Sequence, residues 1–143
     1  MKNHIDISTL RFLVLDDSKL ICQLIEEIFK NLGASKIITA LDGREGLAAV
    51  EAADGDGGID VIFSDLEMPG MDGLEFFRHL AMRKFGGVIV IVSAQPERVI
   101  QAASDLVRAH GLEILGAVPK PISYMSIVEI LGAPGSIKAQ ASN

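Results

Sequence analysis

The chain alternates short apolar runs with longer amphipathic stretches, and this alternation predicts strands and helices in turn. Phe12-Leu13-Val14-Leu15 is typical of a buried strand, and in the stretch that follows it Ile21, Ile25 and Ile28 recur at helical spacing. Each predicted strand is followed by one predicted helix. The predicted strands are 12–15, 36–40, 59–64, 88–92 and 113–118, and the predicted helices are 18–32, 43 to the loop at 53–58, 74–82, 97–110 and 123–131.

Five strands and five helices in strict alternation predict an α/β fold, a doubly wound five-stranded parallel sheet that helices cover on both faces. The pattern occupies residues 11–131, which we interpret as one domain. Residues 1–10 are an expected N-terminal leader, and residues 132–143 are an expected C-terminal tail or the start of a linker. Ligands of such sheets bind beyond the carboxyl ends of the strands, so the residues that follow each strand are the candidates for chemistry.

Ionisable and hydroxyl side chains follow four of the five predicted strands. They are Asp16 and Asp17 after the first strand, Asp65 after the third, Ser93 after the fourth and Lys120 after the fifth. Three carboxylates in a small volume repel one another unless a cation is bound, and oxygen ligands with room for water suit Mg²⁺. A carboxylate held beside Mg²⁺ and a lysine can act as a nucleophile toward phosphorus, which gives an acyl phosphate. The pattern therefore predicts phosphoryl-transfer chemistry at one edge of the sheet.

The composition limits the kinds of partner and the cellular compartment that we expect for this protein. The 143 residues carry a net charge of −6, which makes nonspecific binding to nucleic acid a poor hypothesis because basic side chains must replace the counterions. The apolar runs are far shorter than the roughly 18 residues of a membrane-spanning helix, and we find no signal-peptide pattern. Cys22 is the single cysteine and cannot form an internal disulfide. We therefore expect a cytoplasmic protein with neither a nucleic-acid nor a membrane partner.

Four segments resemble the receiver domain of two-component response regulators, in the order in which that family has them. They are residues 12–18, 64–73, 92–94 and 120–121, and the resemblance extends from residue 10 to about residue 131. It implies a flavodoxin-like fold with strand order 2-1-3-4-5. It also implies a phosphorylation-dependent switch in phosphorelay signal transduction, one that catalyses its own phosphorylation and dephosphorylation and is not otherwise an enzyme.

The resemblance also implies a role for each residue at the edge of the sheet. Asp65 would accept the phosphoryl group from a histidine kinase or a phosphotransfer protein, while Lys120 and Ser93 would contact that group. Lys120 would be joined to Pro121 by a cis peptide. Mg²⁺ would be held by the following set: Asp17, Asp65, the backbone carbonyl of Glu67 and, through water, Asp16. An effector domain or a second copy would bind the surface formed by helix 4, strand 5 and helix 5.

Three features of the last third of the chain depart from the family pattern. Ala117 stands where many receivers carry an aromatic residue that swings inward on activation, so the signal would need another route. Pro119 precedes the lysine and removes a donor from the predicted strand. Ser93 and Lys120 are 27 positions apart, an interval that we expect to extend helix 4. A long helix 4 is similar to receivers fused to EAL-type cyclic-di-GMP phosphodiesterases, and we expect this chain to be the receiver part of a longer response regulator.

Two other functions stay open. A haloacid-dehalogenase-like phosphatase also uses an aspartate nucleophile with Mg²⁺, but its motif is Asp-x-Asp, and here Asp65 is followed by Leu66 and Glu67. A receiver-like interaction module that no longer takes phosphate is supported by Ala117 alone. Sustained hydrolysis of phosphate esters would indicate the first function, and failure to bind Mg²⁺ would indicate the second.

Overall fold

A five-stranded parallel sheet forms the centre of the computed structural model, which describes residues 6–68, 70–71 and 73–132. The strands are β1 Arg11–Leu15, β2 Lys36–Ala40, β3 Val61–Asp65, β4 Val88–Ser93 and β5 Glu113–Pro119. The helices are α1 Lys19–Asn31, α2 Gly43–Ala53, α3 Gly73–Met82, α4 Glu97–Ala109 and α5 Tyr124–Gly132. The strands lie in the order β2-β1-β3-β4-β5 and every neighbouring pair is parallel. This architecture confirms the predicted fold class and strand order.

The sheet is buried on both faces because alternate residues of its strands point into two separate apolar layers. On one face Leu13 and Ile62 pack with residues of α2, α3 and α4. On the other face Phe12 and Phe63 pack with residues of α1 and α5. Phe29 of α1 contacts both of these rings, with ring centroids 4.5 Å from Phe12 and 4.9 Å from Phe63. Apolar side chains therefore fill both layers, and the ionisable side chains gather at the strand ends.

The ends of the elements follow local hydrogen bonding and differ from the predicted bounds by one or two residues. Ser18 caps α1, where its hydroxyl accepts from the Ile21 amide at 3.2 Å. The interval between Ser93 and Lys120 contains α4 and β5, and the expected extension of helix 4 stays a prediction. α4 has 13 residues, and β5 contains a bulge at Leu115 because Ile89 pairs with Ile114 while the next residue of β4 pairs with Gly116.

The predicted leader is partly folded onto the domain. Ile7–Thr9 form a turn of 3₁₀ helix that the carboxylate of Asp6 caps. Leu10 is buried in the layer beneath α1, so the packed part of the chain begins before residue 11. The rest of the leader (1–5) and nearly all of the predicted tail (133–143) lie outside the described residues. Across residues 6–132, as far as they are described, no helix combines the length and the apolar character that crossing a bilayer requires.

Candidate functional site

Three carboxylates meet where β1 and β3 end side by side. Asp16 and Asp17 directly follow β1, and Asp65 is the last residue of β3, the strand that pairs with β1. Each of the three offers an oxygen, and these oxygens all lie within 4.8 Å of one another. Asp16 and Asp65 are buried while Asp17 is exposed, so the cluster opens to solvent on one side. The neighbouring strand ends of the parallel sheet thus bring together the aspartates that the sequence placed at its edge.

Lys120 supplies the one ammonium group found against this cluster in the described chain. Its Nζ lies 2.9 Å from Oδ2 of Asp16 and 3.0 Å from Oδ2 of Asp65. The end of β5 fixes its backbone, because the Lys120 amide donates to the carbonyl of Ser93 at 3.0 Å. The bond from Lys120 to Pro121 is cis, as the resemblance implies. One cation faces three carboxylates, so the cluster keeps an excess of negative charge.

Burial and charge together shift the pKa values of the Asp65 carboxyl and the Lys120 ammonium. Burial raises the pKa of the Asp65 carboxyl, and the opposing effects of the Lys120 ammonium and the Glu67 amide only partly offset it. Burial acts to lower the pKa of Lys120, but hydrogen bonds and charge from Asp16 and Asp65 outweigh it and the pKa is raised. Lys120 therefore stays charged at neutral pH. The ionised form of Asp65 is destabilised relative to an aspartate in water.

Asp16 shows that this edge has capacity for a further cation. Its Oδ1 accepts from the Ser18 amide at 2.9 Å. Its Oδ2 is buried and finds no aligned hydrogen bond among the described residues, since the Lys120 contact has the geometry of an ion pair. The buried Asp16 carboxylate shares its one nearby ammonium with Asp65, and together with the exposed carboxylate of Asp17 it forms an oxygen-only donor set of the kind that hard divalent cations prefer. The residues present therefore fit Mg²⁺.

Asp65 is held by the short connection between β3 and α3. Its Oδ1 accepts from the Glu67 amide at 3.2 Å, and its backbone carbonyl accepts from the Ser64 hydroxyl at 2.9 Å. Gly73 opens α3 directly over this backbone, and a Cβ at Gly73 would collide with the carbonyl oxygen of Asp65. Its amide donates to the carbonyl of Leu66 at 2.8 Å. The Glu67 amide thus fixes the carboxylate of Asp65, and Gly73 packs against its main chain.

Ser93 lies at the same edge, at the end of β4. Its neighbour Val92 pairs with Asp65 across the sheet, and its own hydroxyl is buried and accepts from the Gln95 amide at 3.0 Å. The side chain of Gln95 donates to the carboxylate of Glu67 and so joins the loop after β4 to the loop after β3. Sequence reasoning proposed only the backbone carbonyl of Glu67 and missed Gln95. The available signal was its place in the loop, two residues beyond Ser93.

Residues 12–132 match the family described as the response regulator receiver domain. The chain belongs to this family. As a receiver domain it is a component of two-component signalling, and the resemblance seen in the sequence is confirmed. Receiver domains bind Mg²⁺ at a cluster of aspartates, which agrees with the donor set formed by Asp16, Asp17 and Asp65.

Curated relatives place similar receiver domains within larger regulators. The cyclic di-GMP phosphodiesterase RocR of Pseudomonas aeruginosa is 33% identical over 125 residues, which cover 85% of this chain and 30% of that protein. A protein-glutamate methylesterase/protein-glutamine glutaminase of Koribacter versatilis is 36% identical over 113 residues, which cover 78% of this chain and 29% of that protein. The chain thus spans about a third of the length of these relatives. The first of them agrees with the resemblance to receivers fused to cyclic-di-GMP phosphodiesterases.

Solved structures give the same assignment of fold. The chemotaxis protein CheY4 of Vibrio cholerae superimposes with a TM-score of 0.72 at 29% sequence identity, covering 86% of this chain and 96% of that protein. A response regulator from Colwellia psychrerythraea has a TM-score of 0.74 at 24% identity. Both cover nearly the whole of the folded receiver domain, which supports the strand order described above.

Proposed function

We propose that this receiver domain is a signalling switch that takes a phosphoryl group on Asp65. The observation that carries the proposal is the position of the Asp65 carboxylate, 3.0 Å from the Lys120 ammonium and within the cluster that fits Mg²⁺. Asp16 and Asp17 are its acidic neighbours, but Asp65 is the residue whose backbone the start of α3 holds in place. The donor is a histidine kinase or a phosphotransfer protein, as the family implies. A cytoplasmic setting is part of the same proposal.

The transfer needs a nucleophile and a neutralised phosphoryl group. An oxygen of Asp65 forms the new bond to phosphorus while the bond from phosphorus to the donor's imidazole nitrogen breaks, and that nitrogen then takes up a proton. Lys120 is close enough to move from the Asp65 oxygen to an oxygen of the phosphoryl group, where its charge offsets the developing negative charge. Ser93 donates its hydroxyl hydrogen to another phosphoryl oxygen after transfer.

In this proposal Asp17, Asp65 and the backbone carbonyl of Glu67 would hold Mg²⁺, and Asp16 would assist through water. When bound, the cation offsets the negative charge of the carboxylates and of the incoming phosphoryl oxygens. Asp17 is exposed and provides the approach from solvent, whereas Asp16 is buried and held from the other side by Ser18.

The output of the switch begins at Ser93. Its hydroxyl now accepts from the Gln95 amide at the start of the loop that leads into α4. If the Ser93 side chain rotates toward a phosphoryl group, its oxygen moves away from the Gln95 amide, and this favours a second arrangement of the loop, a shift between two populated states. Ala117 is exposed and provides no aromatic ring for the movement, so the signal leaves the site through this loop and α4. An effector domain or a second copy binding α4, β5 and α5 remains the proposed recipient.

The test is the intact mass of the protein after incubation with acetyl phosphate and Mg²⁺. Wild type is expected to gain one phosphoryl group, and Asp65→Asn is expected to gain none. Asp60→Asn is the matched control, because Asp60 lies at the opposite end of the same strand and should leave labelling unchanged. Labelling that survives in Asp65→Asn would show that another residue is the acceptor. Continuous release of inorganic phosphate without a stable adduct would indicate a phosphatase instead.

A further inference from the structure

Two loop residues contact the proposed phosphoacceptor site through their backbones and contact each other through their side chains. The Glu67 amide donates to Oδ1 of Asp65 at 3.2 Å, and the Gln95 amide donates to the hydroxyl of Ser93 at 3.0 Å. The side-chain amide of Gln95 donates to the carboxylate of Glu67. These hydrogen bonds connect Asp65 to Ser93 through the loop after β3 and the loop after β4.

Gln95 also borders the face of the domain through which we expect the signal to leave. It is half-buried and lies two residues before the start of α4. It lines a groove of about 440 Å³ between α4 and β5, together with Ile100 of α4 and Ala117 of β5. A change in the position of Gln95 therefore changes the shape of this groove directly, without an aromatic ring at Ala117.

We propose that the hydrogen bond between the side chains of Gln95 and Glu67 is a latch that holds the two loops in their resting arrangement. This inference rests on the switch at Asp65 and Ser93 proposed above. Phosphorylation changes the oxygens of Asp65 and draws the Ser93 hydroxyl away from the Gln95 amide, so it acts on both backbone ends of the latch. It also adds negative charge two residues from Glu67, and like charges repel. The latch then opens and the loop before α4 takes its second arrangement.

The latch lowers the affinity of the site for a phosphoryl group because it stabilises the resting arrangement alone. With the resting arrangement dominant, the affinity is reduced to the fraction of molecules that are already switched. Losing one exposed hydrogen bond should raise that fraction about threefold. The latch acts through the backbone amides of its two residues, which makes Gln95 a positioning residue.

The probe for this proposal is beryllofluoride with Mg²⁺, which on a carboxylate oxygen has the tetrahedral shape of a phosphoryl group. Amide chemical shifts of the full chain labelled with ¹⁵N give its apparent Kd. Gln95→Ala removes the latch without a change in charge, and the Kd should fall about threefold. In wild type the side-chain amide signals of Gln95 should move toward those of a free glutamine as the anion binds.

An exchange of the two residues separates the hydrogen bond from the charge. The double variant Gln95→Glu with Glu67→Gln has the net charge of wild type and again pairs one amide with one carboxylate. Its Kd should rise from the value of Gln95→Ala back toward that of wild type. Gln101→Ala is the matched control, because Gln101 donates to the carboxylate of Asp105 at 3.0 Å within α4 and should leave the Kd unchanged.

Two results would overturn the latch. One is a Kd for Gln95→Ala that equals or exceeds that of wild type, and the other is an exchanged pair that binds as tightly as Gln95→Ala. Wild type that fails to bind beryllofluoride would contradict the phosphoacceptor function itself and the latch with it. A lower Kd in Gln95→Ala that the exchange reverses, and that Gln101→Ala does not share, would support the proposal.

Discussion

β3 has an aspartate at each end, and the two are stabilised in opposite ways. Asp60, just before the strand, has a carboxylate that accepts from the Arg11 amide at 2.8 Å. Its own amide and carbonyl bond to Arg11 and Val88, so it joins three strands at their amino ends. Asp65, at the carboxyl end, shares its space with two further carboxylates and one lysine. The carboxylate of Asp60 is stabilised by a backbone amide. The cluster around Asp65 keeps an excess of negative charge that a ligand must balance.

The cations at the two ends differ in the same way. At the amino end Arg83 pairs with Glu51 at 3.4 Å and Asp54 at 2.7 Å, and the side chains of these partners are 70% and 59% exposed. At the carboxyl end the partners of Lys120 are Asp16 and Asp65, whose side chains are only 2% and 9% exposed. Ion pairs in water contribute little to stability, whereas breaking a buried one leaves charge without a partner. The buried ion pairs therefore lie at the edge that carries the aspartate cluster.

Replacing the two cations should give the largest difference between the two ends of β3. Lys120→Met should lower the free energy of unfolding by about 3 kcal/mol without Mg²⁺, because it leaves two buried carboxylates facing each other. Arg83→Met should lower it by less than about 1 kcal/mol, since its partners are hydrated. Urea unfolding of both variants measures the difference. Equal losses would mean that the two ends do not differ in the way described.

Two glycines, one near each end of β3, contact the backbone of the two aspartates. A Cβ at Gly73 would meet the carbonyl oxygen of Asp65, and a Cβ at Gly87 would meet that of Asp60 at 2.5 Å. Each Gly→Ala change should cost about 2 kcal/mol, because neither backbone can move away easily. Only Gly73→Ala should also slow the labelling of Asp65. Gly55→Ala is the control, since nothing lies within 4 Å of the added carbon.

The two aspartates themselves should respond with opposite signs. Asp65→Asn should raise the free energy of unfolding by about 1 kcal/mol at neutral pH without Mg²⁺, while Asp60→Ala should lower it by about 1 kcal/mol through the lost bond to Arg11. The pKa of Asp65 is raised in the folded state. Its contribution to stability is therefore present below its unfolded pKa and is lost as pH rises through its folded pKa.

Thermal unfolding across about pH 4 to 7 tests this sign. The advantage of Asp65→Asn over wild type should shrink as the solution becomes acidic, because a protonated Asp65 carries no charge for burial to penalise. An advantage that is constant with pH would contradict the electrostatic origin.

The smallest expected effect is that of the cation. Mg²⁺ at about five times its Kd should stabilise wild type by about 1 kcal/mol, and Asp65→Asn should gain less. The gain should fall on acidification, and at a higher pH than for an ordinary aspartate, because binding needs the ionised carboxyl and the pKa of Asp65 is raised. Measurements of Tm with and without Mg²⁺ check this. Asp60→Asn should gain as much as wild type, and a missing gain in that control would show that the effect is not local to the site.

The sequence allowed the fold to be predicted because each element carries its own periodicity. The runs at Phe12–Leu15 and Val88–Val92 are apolar enough to require burial on both faces, and the polar residues that end them mark the edge of the sheet. The same reasoning brought Asp65 and Lys120 together across 55 positions of chain, since parallel strands all end at one edge.

What could not be predicted depends on contacts between parts of the chain that have no periodic signal. The bond from Gln95 to Glu67 joins two loops, and loop side chains do not report their partners in sequence. Leu10 stands before the first apolar run and was placed in the leader, yet it is buried in the core. The role of Asp60 as a backbone acceptor has no motif at all. Each of these is settled by the tertiary structure.

The bulge in β5 determines which face of the sheet each later residue of the strand points to. Ile114 belongs to the layer beneath α3 and α4, but Leu115 and Gly116 both turn toward α5, so the alternation of faces restarts one residue late. Val118 thereby reaches the core beneath α1, and Ala117 is left outside. Removing one residue at this point would draw the chain up by about 3.3 Å and exchange inside for outside as far as Lys120. The bulge residue therefore sets the position at which the Lys120 ammonium reaches the carboxylates of Asp16 and Asp65.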